Sequence, residues 1–128
     1  MIGDILSDKI TTALAKALEG YAARHKAIAA NIANAETPGY KRVKVSFEED
    51  LRQALTDSDK ERAVKSMQNI SPKLVQDFAS PARPDGNNVS LDKEMTELIE
   101  NGLSYQTVAA IIQQKIAGLR SVINEGRR

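Results

Sequence analysis

Along the first quarter of the chain a single register dominates. Leu14, Leu18, Tyr21, His25, Ile28 and Ile32 succeed one another at spacings of 4, 3, 4, 3 and 4, which keeps them on one stripe of an α-helix. Ala15, Ala22 and Ala29 flank the stripe on one side and Ala17 on the other, small residues that let a neighbouring helix come close. Residues 8–35 hold no proline and a single glycine, Gly20, so the pattern predicts one uninterrupted helix there. Pro38 lacks an amide hydrogen and pushes Thr37 out of the helical region, and Gly39 admits a left-handed turn, so the helix is expected to end before them.

The far end of the chain repeats the pattern at greater length. Leu91, Met95, Leu98, Gly102, Tyr105, Ala109, Ile112, Ile116, Leu119 and Ile123 alternate spacings of 4 and 3 without a slip, predicting a second long helix over residues 91–124. Ser90 offers an N-cap, Asp92 and Glu94 place negative charge in the first turn, and Lys115, Arg120, Arg127 and Arg128 place positive charge toward the other end, both favourable to the helix dipole. Ile99, Leu103 and Val108 add apolar surface beside the stripe, more than one partner helix would cover.

Between the helices, residues 40–47 alternate polar and apolar, which predicts a short extended segment, and residues 47–55 fit two helical turns. Residues 56–90 are polar, with Pro72, Pro81, Pro84 and the turn Asp85-Gly86. One or two short strands fit around residues 73–78, and no further regular structure is expected. The resulting fold class is mainly α: two long terminal helices paired as an antiparallel coiled coil, with a short irregular, β-containing middle. The expectation is a single domain over residues 1–128, divided into an N-terminal seam helix (8–35), a loop and polar middle (36–90) and a C-terminal seam helix (91–124). Such a two-helix unit leaves apolar stripes uncovered, so a homo- or hetero-oligomer is expected.

Composition narrows the function. The 128 residues carry 18 Lys and Arg against 17 Asp and Glu, a net charge of +1 that argues against a partner bound by phosphate neutralisation, so no nucleic acid is expected. Aromatic residues make up 4% and there is no Trp, so the core must be built from Ile, Leu, Val and Ala. The absence of Cys excludes disulfides and thiolate chemistry. No apolar run is long enough for a bilayer, so no direct membrane insertion is expected, and residues 1–9 lack the basic and apolar regions of a cleaved signal peptide.

Candidate chemistry is sparse. His25, the one histidine, stands on the first stripe without an acid beside it and reads as a packed or interface residue. A calcium loop starting at Asp85 would need Gly and Glu where Ser90 and Thr96 stand, so Asp85-Gly86-Asn87-Asn88 reads as a turn. Lys41, Arg42 and Lys44 read as a solvated edge. No phosphate loop, zinc-protease motif, nucleophile elbow or carboxylate pair of defined catalytic spacing occurs; the expectation is no enzyme, no catalytic or metal residues and no cofactor. Asn31 and Asn34, one turn apart at the end of the first helix, are more specific.

The run over residues 28–42, Ile-Ala-Ala-Asn-Ile-Ala-Asn-Ala-Glu-Thr-Pro-Gly-Tyr-Lys-Arg, closely resembles the N-terminal signature of bacterial flagellar axial proteins, the family of rod, hook and hook-associated subunits. The match falls on Asn31, Ile32, Ala33, Asn34, Thr37, Pro38, Gly39, Tyr40 and Lys41, preceded by Ala29 or Ala30. A second run, Gly-Asn-Asn-Val-Ser-Leu-Asp-Lys-Glu-Met over residues 86–95, followed by Tyr105-Gln106, is similar to the family's C-terminal signature. The short chain, its residues 85–89 and its residues 47–55 look most like the small proximal rod subunits.

The resemblance implies a structural subunit of the proximal rod of the flagellar basal body, exported by the type III apparatus without a cleaved signal and lying outside the inner membrane. Its implied partners are other rod subunits and basal-body or export-gate components. The implied assembly motif is Asn31, Ile32, Asn34, Thr37, Pro38, Gly39 and Tyr40, and the seams are Leu14, Leu18, Tyr21 and Ile28 with Leu98, Tyr105, Ile112, Ile116, Leu119 and Ile123. A sister rod subunit, or a coiled-coil adaptor of the export system that never enters the filament, is the alternative.

Overall fold

With so few aromatic residues, the core must close around small side chains, and the first helix supplies them. The computed structural model describes residues 9–126, in the order α1 (Lys9–Ala33), β1 (Val43–Ser46), α2 (Glu48–Leu55), α3 (Lys60–Gln68), β2 (Lys73–Gln76) and α4 (Leu91–Gly126). Ala13, Gly20 and Ala27 recur every seven residues and are buried along one face of α1. The Phe47 ring occupies the space that Gly20 leaves: a Cβ there would lie 2.4 Å from it. Tyr21 meets that ring edge-on, with centroids 5.4 Å apart, and the Arg24 guanidinium stands 5.0 Å above its face. Leu51 and Ala54 of α2, Ala63 and Met67 of α3 and Val45 of β1 complete this core.

The expected extended segment and two-turn helix appear as β1 and α2, and β2 falls within residues 73–78. β1 and β2 pair antiparallel, with Val43 opposite Gln76 and Ser46 opposite Lys73. The middle is more regular than its composition suggests, because α3 forms where no structure was expected. Asp59 caps α3 by accepting from the Arg62 amide at 3.2 Å, and Ala63 and Met67, one turn apart, give it a buried face in an otherwise polar stretch.

α1 and α4 lie against each other and run antiparallel. Asn31 meets Glu94, the Asn101 amide donates to the Tyr21 carbonyl at 2.8 Å, and Lys115 donates to Thr11 at 3.2 Å. Both helices fall close to the expected spans; Asp8, Arg127, Arg128 and residues 1–7 lie outside the described residues. Ser90 accepts from the Lys93 amide at a long 3.4 Å.

The α4 stripe differs from a uniform seam. The residues of α4 that are buried are Glu94 and Asn101, one place before Met95 and Gly102. Leu98, Ile112, Leu119 and Ile123 are half-buried, whereas Tyr105 and Ile116 are 42% and 44% exposed. On α1, Ile28 is buried and Leu14, Leu18, Tyr21 and Ile32 are half-buried. His25, expected to pack or to stand at an interface, is exposed at the margin of the α1–α4 groove beside Tyr105. Among the described residues, no helix is long and apolar enough to cross a membrane.

Candidate assembly site

The Thr-Pro-Gly-Tyr sequence turns the chain out of α1. The Tyr40 amide donates to the Thr37 carbonyl at 3.2 Å, with Pro38 and Gly39 between them and Gly39 at φ 74°, the residue order of a type II turn. Asn34 secures the approach: its amide donates to the Ala30 carbonyl at 2.8 Å, and its side-chain oxygen accepts from the Thr37 hydroxyl at 3.1 Å.

The loop before α4 docks onto this turn through a second left-handed glycine. Gly86 has φ 87°, and a Cβ added to it would lie 3.3 Å from Gly39 Cα; the Gly39 amide donates to the Asp85 carbonyl at 2.9 Å. Asn87 then clamps the end of α1. Its fully buried side chain donates to the carbonyls of Asn34, Ala35 and Thr37 at 2.9, 3.0 and 2.9 Å, satisfying acceptors that a helix terminus leaves open. Arg83 reaches the Ala35 carbonyl and Lys41 the Gly86 carbonyl. Asn88 accepts from the Arg42 amide at 2.7 Å and donates to the Asp77 carbonyl at 2.6 Å.

Arg42 is the hub beneath the turn. Expected on a solvated edge, it is 4% exposed. It donates to Glu94 at 2.7 Å, Asp77 at 3.0 Å and Glu97 at 2.9 Å. Asn31 continues the network: its amide donates to the Val43 carbonyl at 2.8 Å and to Glu94 at 3.1 Å, and its oxygen accepts from the Val43 amide at 2.8 Å and the Tyr40 hydroxyl at 3.1 Å. One buried constellation therefore joins α1, the turn, the sheet and α4.

The electrostatics follow from these contacts. Burial works against the Arg42 charge, but hydrogen bonds to Glu94 and Asp77 outweigh it and raise its proton affinity. The Ser80 hydroxyl, Arg42 and the Ala79 amide hold the Asp77 carboxyl below the usual carboxylate range. Burial, with the negative Glu94 nearby, pushes the Tyr40 hydroxyl up.

The structure thus brings Asn31, Asn34, Thr37, Gly39 and Tyr40 into one bonded unit, with Pro38 exposed at the turn and Ile32 half-buried on the last turn of α1. Sequence reasoning missed Arg42, Asp77, Asn87, Asn88 and Glu94. The available signal was the clustering of amide side chains at both signatures, since Asn87 and Asn88 mirror Asn31 and Asn34.

The sequence of this region is similar to that of known proteins. The family described as "Flagella basal body rod protein" matches residues 13–41, the stretch that ends in the turn. Flagellar basal body rod protein FlgB of Yersinia ruckeri is 34% identical, over 93% of this chain and 98% of its own length. The proteins of the same name from Escherichia coli and Bacillus subtilis are 30% and 35% identical, covering 93% and 81% of this chain and 98% and 84% of their own lengths. With identity of 30% or more over most of both chains, the chain belongs to the FlgB family of flagellar basal body rod proteins.

Proposed function

We propose that this rod subunit assembles helically with copies of itself and with other basal-body and export-gate components, through its two terminal helices. The observation that supports this reading is the surface of α4. Met95, Ile99, Leu103, Tyr105, Ile111, Ile116 and Val122 are all at least 40% exposed, more apolar surface than α1 can cover. In the rod these residues pack against neighbouring subunits, and α1 and α4 act as a coiled coil. Leu14, Leu18, Tyr21 and Ile28 with Leu98, Tyr105, Ile112, Ile116, Leu119 and Ile123 supply the affinity. Contacts between unlike faces propagate into a tube rather than closing as a two-fold pair.

In this reading the motif Asn31, Ile32, Asn34, Thr37, Pro38, Gly39 and Tyr40 sets register. Its rigid exit from α1 fixes where the middle projects from the helix pair. The subunit reaches the proximal rod, outside the inner membrane, by the flagellar export route without a cleaved signal. Its role is structural, with no cofactor.

Ile112→Asp and Leu119→Asp test this. Each is expected to give a helical, soluble chain, checked by circular dichroism, that is absent from purified basal bodies. Wild-type motility with either variant present at normal levels would overturn the helix-mediated assembly.

A further inference from the structure

The charges of α4 are divided along its length. Asp92, Glu94, Glu97 and Glu100 crowd its first part against Lys93 alone, whereas Lys115, Arg120, Arg127 and Arg128 mark the last part of the chain against Glu125. At the acidic end, a cleft of about 400 Å³ opens between α1, β1 and α4, with Tyr21, Glu97, Glu100, Asn101 and Ser104 along its walls. Arg24, on the same wall, is held by Glu48 at 2.9 and 2.5 Å, and Arg42 by its own carboxylates. Lys44 lies exposed at the rim.

Although Arg24, Arg42, Lys44 and Ser104 line the cleft, none of them donates to Asn101. Asn101 is 5% exposed; its amide donates to the Tyr21 carbonyl, and its Oδ1 is buried without a hydrogen-bond partner among the described residues. Such an orphan is rare in a native fold. Glu100 makes no hydrogen bond or ion pair among the described residues. Glu97 adds a second, part-exposed carboxylate that Arg42 engages from below. Two carboxylates, a bare amide oxygen and an aromatic wall suit a planar, forked cation.

Arg120 is such a cation. It is exposed in a shallow groove with Ile116, Ala117, Ser121 and Glu125, and among the described residues it forms no ion pair. It follows Glu100 by twenty residues, about five and a half helical turns and about 30 Å along the axis, so the two project from opposite sides of α4. Leu91 and Met95 share the azimuth of Arg120 on α4, and Ile111 and Val122 that of Glu100, so exposed apolar residues lie along both sides of the helix.

We infer that the cleft at Glu97, Glu100 and Asn101 is a socket for Arg120 of a second copy of this chain, displaced about 30 Å along the helix axis. The bound guanidinium donates to Asn101 Oδ1 and the Glu100 carboxylate. Unlike faces meet, so each copy offers one socket and one arginine, and the contact propagates. The inference rests on the rod-subunit reading and adds its register.

The chain contains no cysteine, so a Glu100→Cys/Arg120→Cys variant gives a clean cross-linking test. In flagellated cells whose only copy of the gene carries it, mild oxidation is expected to yield disulfide-linked dimers and higher species in purified basal bodies. Either single cysteine variant should stay monomeric. Glu100→Arg and Arg120→Glu should each lower incorporation into basal bodies at least tenfold, and the double exchange should restore it to within twofold. Basal bodies containing the two-cysteine variant only as monomer would overturn the socket while leaving the rod reading intact. Cross-linking of Glu100→Cys alone would overturn it in favour of a two-fold contact. Absence of the wild-type chain from basal bodies would remove both.

Discussion

Replacing Arg42 by methionine probes the network that joins the terminal helices. The substitution keeps the length and packing of the side chain and removes every donor, leaving Asp77 and Glu94, 5% and 0% exposed at their side chains, without their cation. The two are unequally protected. Asp77 keeps the Ser80 hydroxyl at 2.6 Å and the amides of Ala79 and Ser80 at 2.9 and 3.1 Å; Glu94 keeps only the Asn31 amide at 3.1 Å. Breaking a buried pair from one side costs about 3–5 kcal/mol, against a total stability of about 6–19 kcal/mol for a chain of this length. With a urea slope of about 2 kcal/mol per molar, the midpoint should fall by roughly 1.5–2.5 M. The double variant Arg42→Met/Glu94→Met removes the stranded charge as well, and Asn31 retains Val43, so more than half of the loss should return. Equilibrium urea unfolding followed by circular dichroism reads both. A single-variant shift under about 0.5 M, or a double variant no more stable than the single, would refute the reasoning.

Other substitutions test the remaining joints. Gly20→Ala forces a Cβ to within 2.4 Å of the Phe47 ring and should cost about 1–3 kcal/mol, whereas Gly102→Ala enters open space and should stabilise the monomer by up to about 1 kcal/mol; thermal melts separate them. Asn87→Ala removes one of the donors to each of three carbonyls at α1's exit, and hydrogen exchange should quicken at Thr37 and Gly39 before it does within α1. Because the folded Asp77 carboxyl binds its proton more weakly than the unfolded chain does, its contribution is complete above the ordinary Asp range, near pH 4. It is lost as pH falls below that range toward the folded value. Asp77→Asn should therefore flatten the fall in urea midpoint between pH 5 and pH 3. Pro38→Ala combined with Gly39→Ala should reduce incorporation into basal bodies more than export, read by comparing secreted and assembled protein; normal rods would contradict the register role.

The long helices, β1, α2 and the sharp exit at Pro38-Gly39 were legible because each rests on local rules: heptad spacing, alternation, and the backbone limits of proline and glycine. Three features were not. α3 hides its buried face in Ala63 and Met67 within a stretch dominated by charge, so its signal was too thin against the prolines that follow. The spacing of α4 locates an apolar stripe but not the face used, because apolar residues nearly encircle the helix. The buried positions are instead polar, Glu94 and Asn101, chosen by partners on α1 and by Arg42. Arg42 itself looked like one of three surface cations, since its burial depends on Asp77, Glu94 and Glu97, 35 to 55 residues away. Long-range polar pairing leaves no periodic trace.

As a structural part of the rod, this chain should be indispensable to it. Electron cryotomography of flagellar bases in cells lacking the gene tests it most directly. Membrane rings and export apparatus should remain in place with the rod missing above them, and the rod should return with the wild-type gene. A rod of normal length and density in the deleted cells would contradict it.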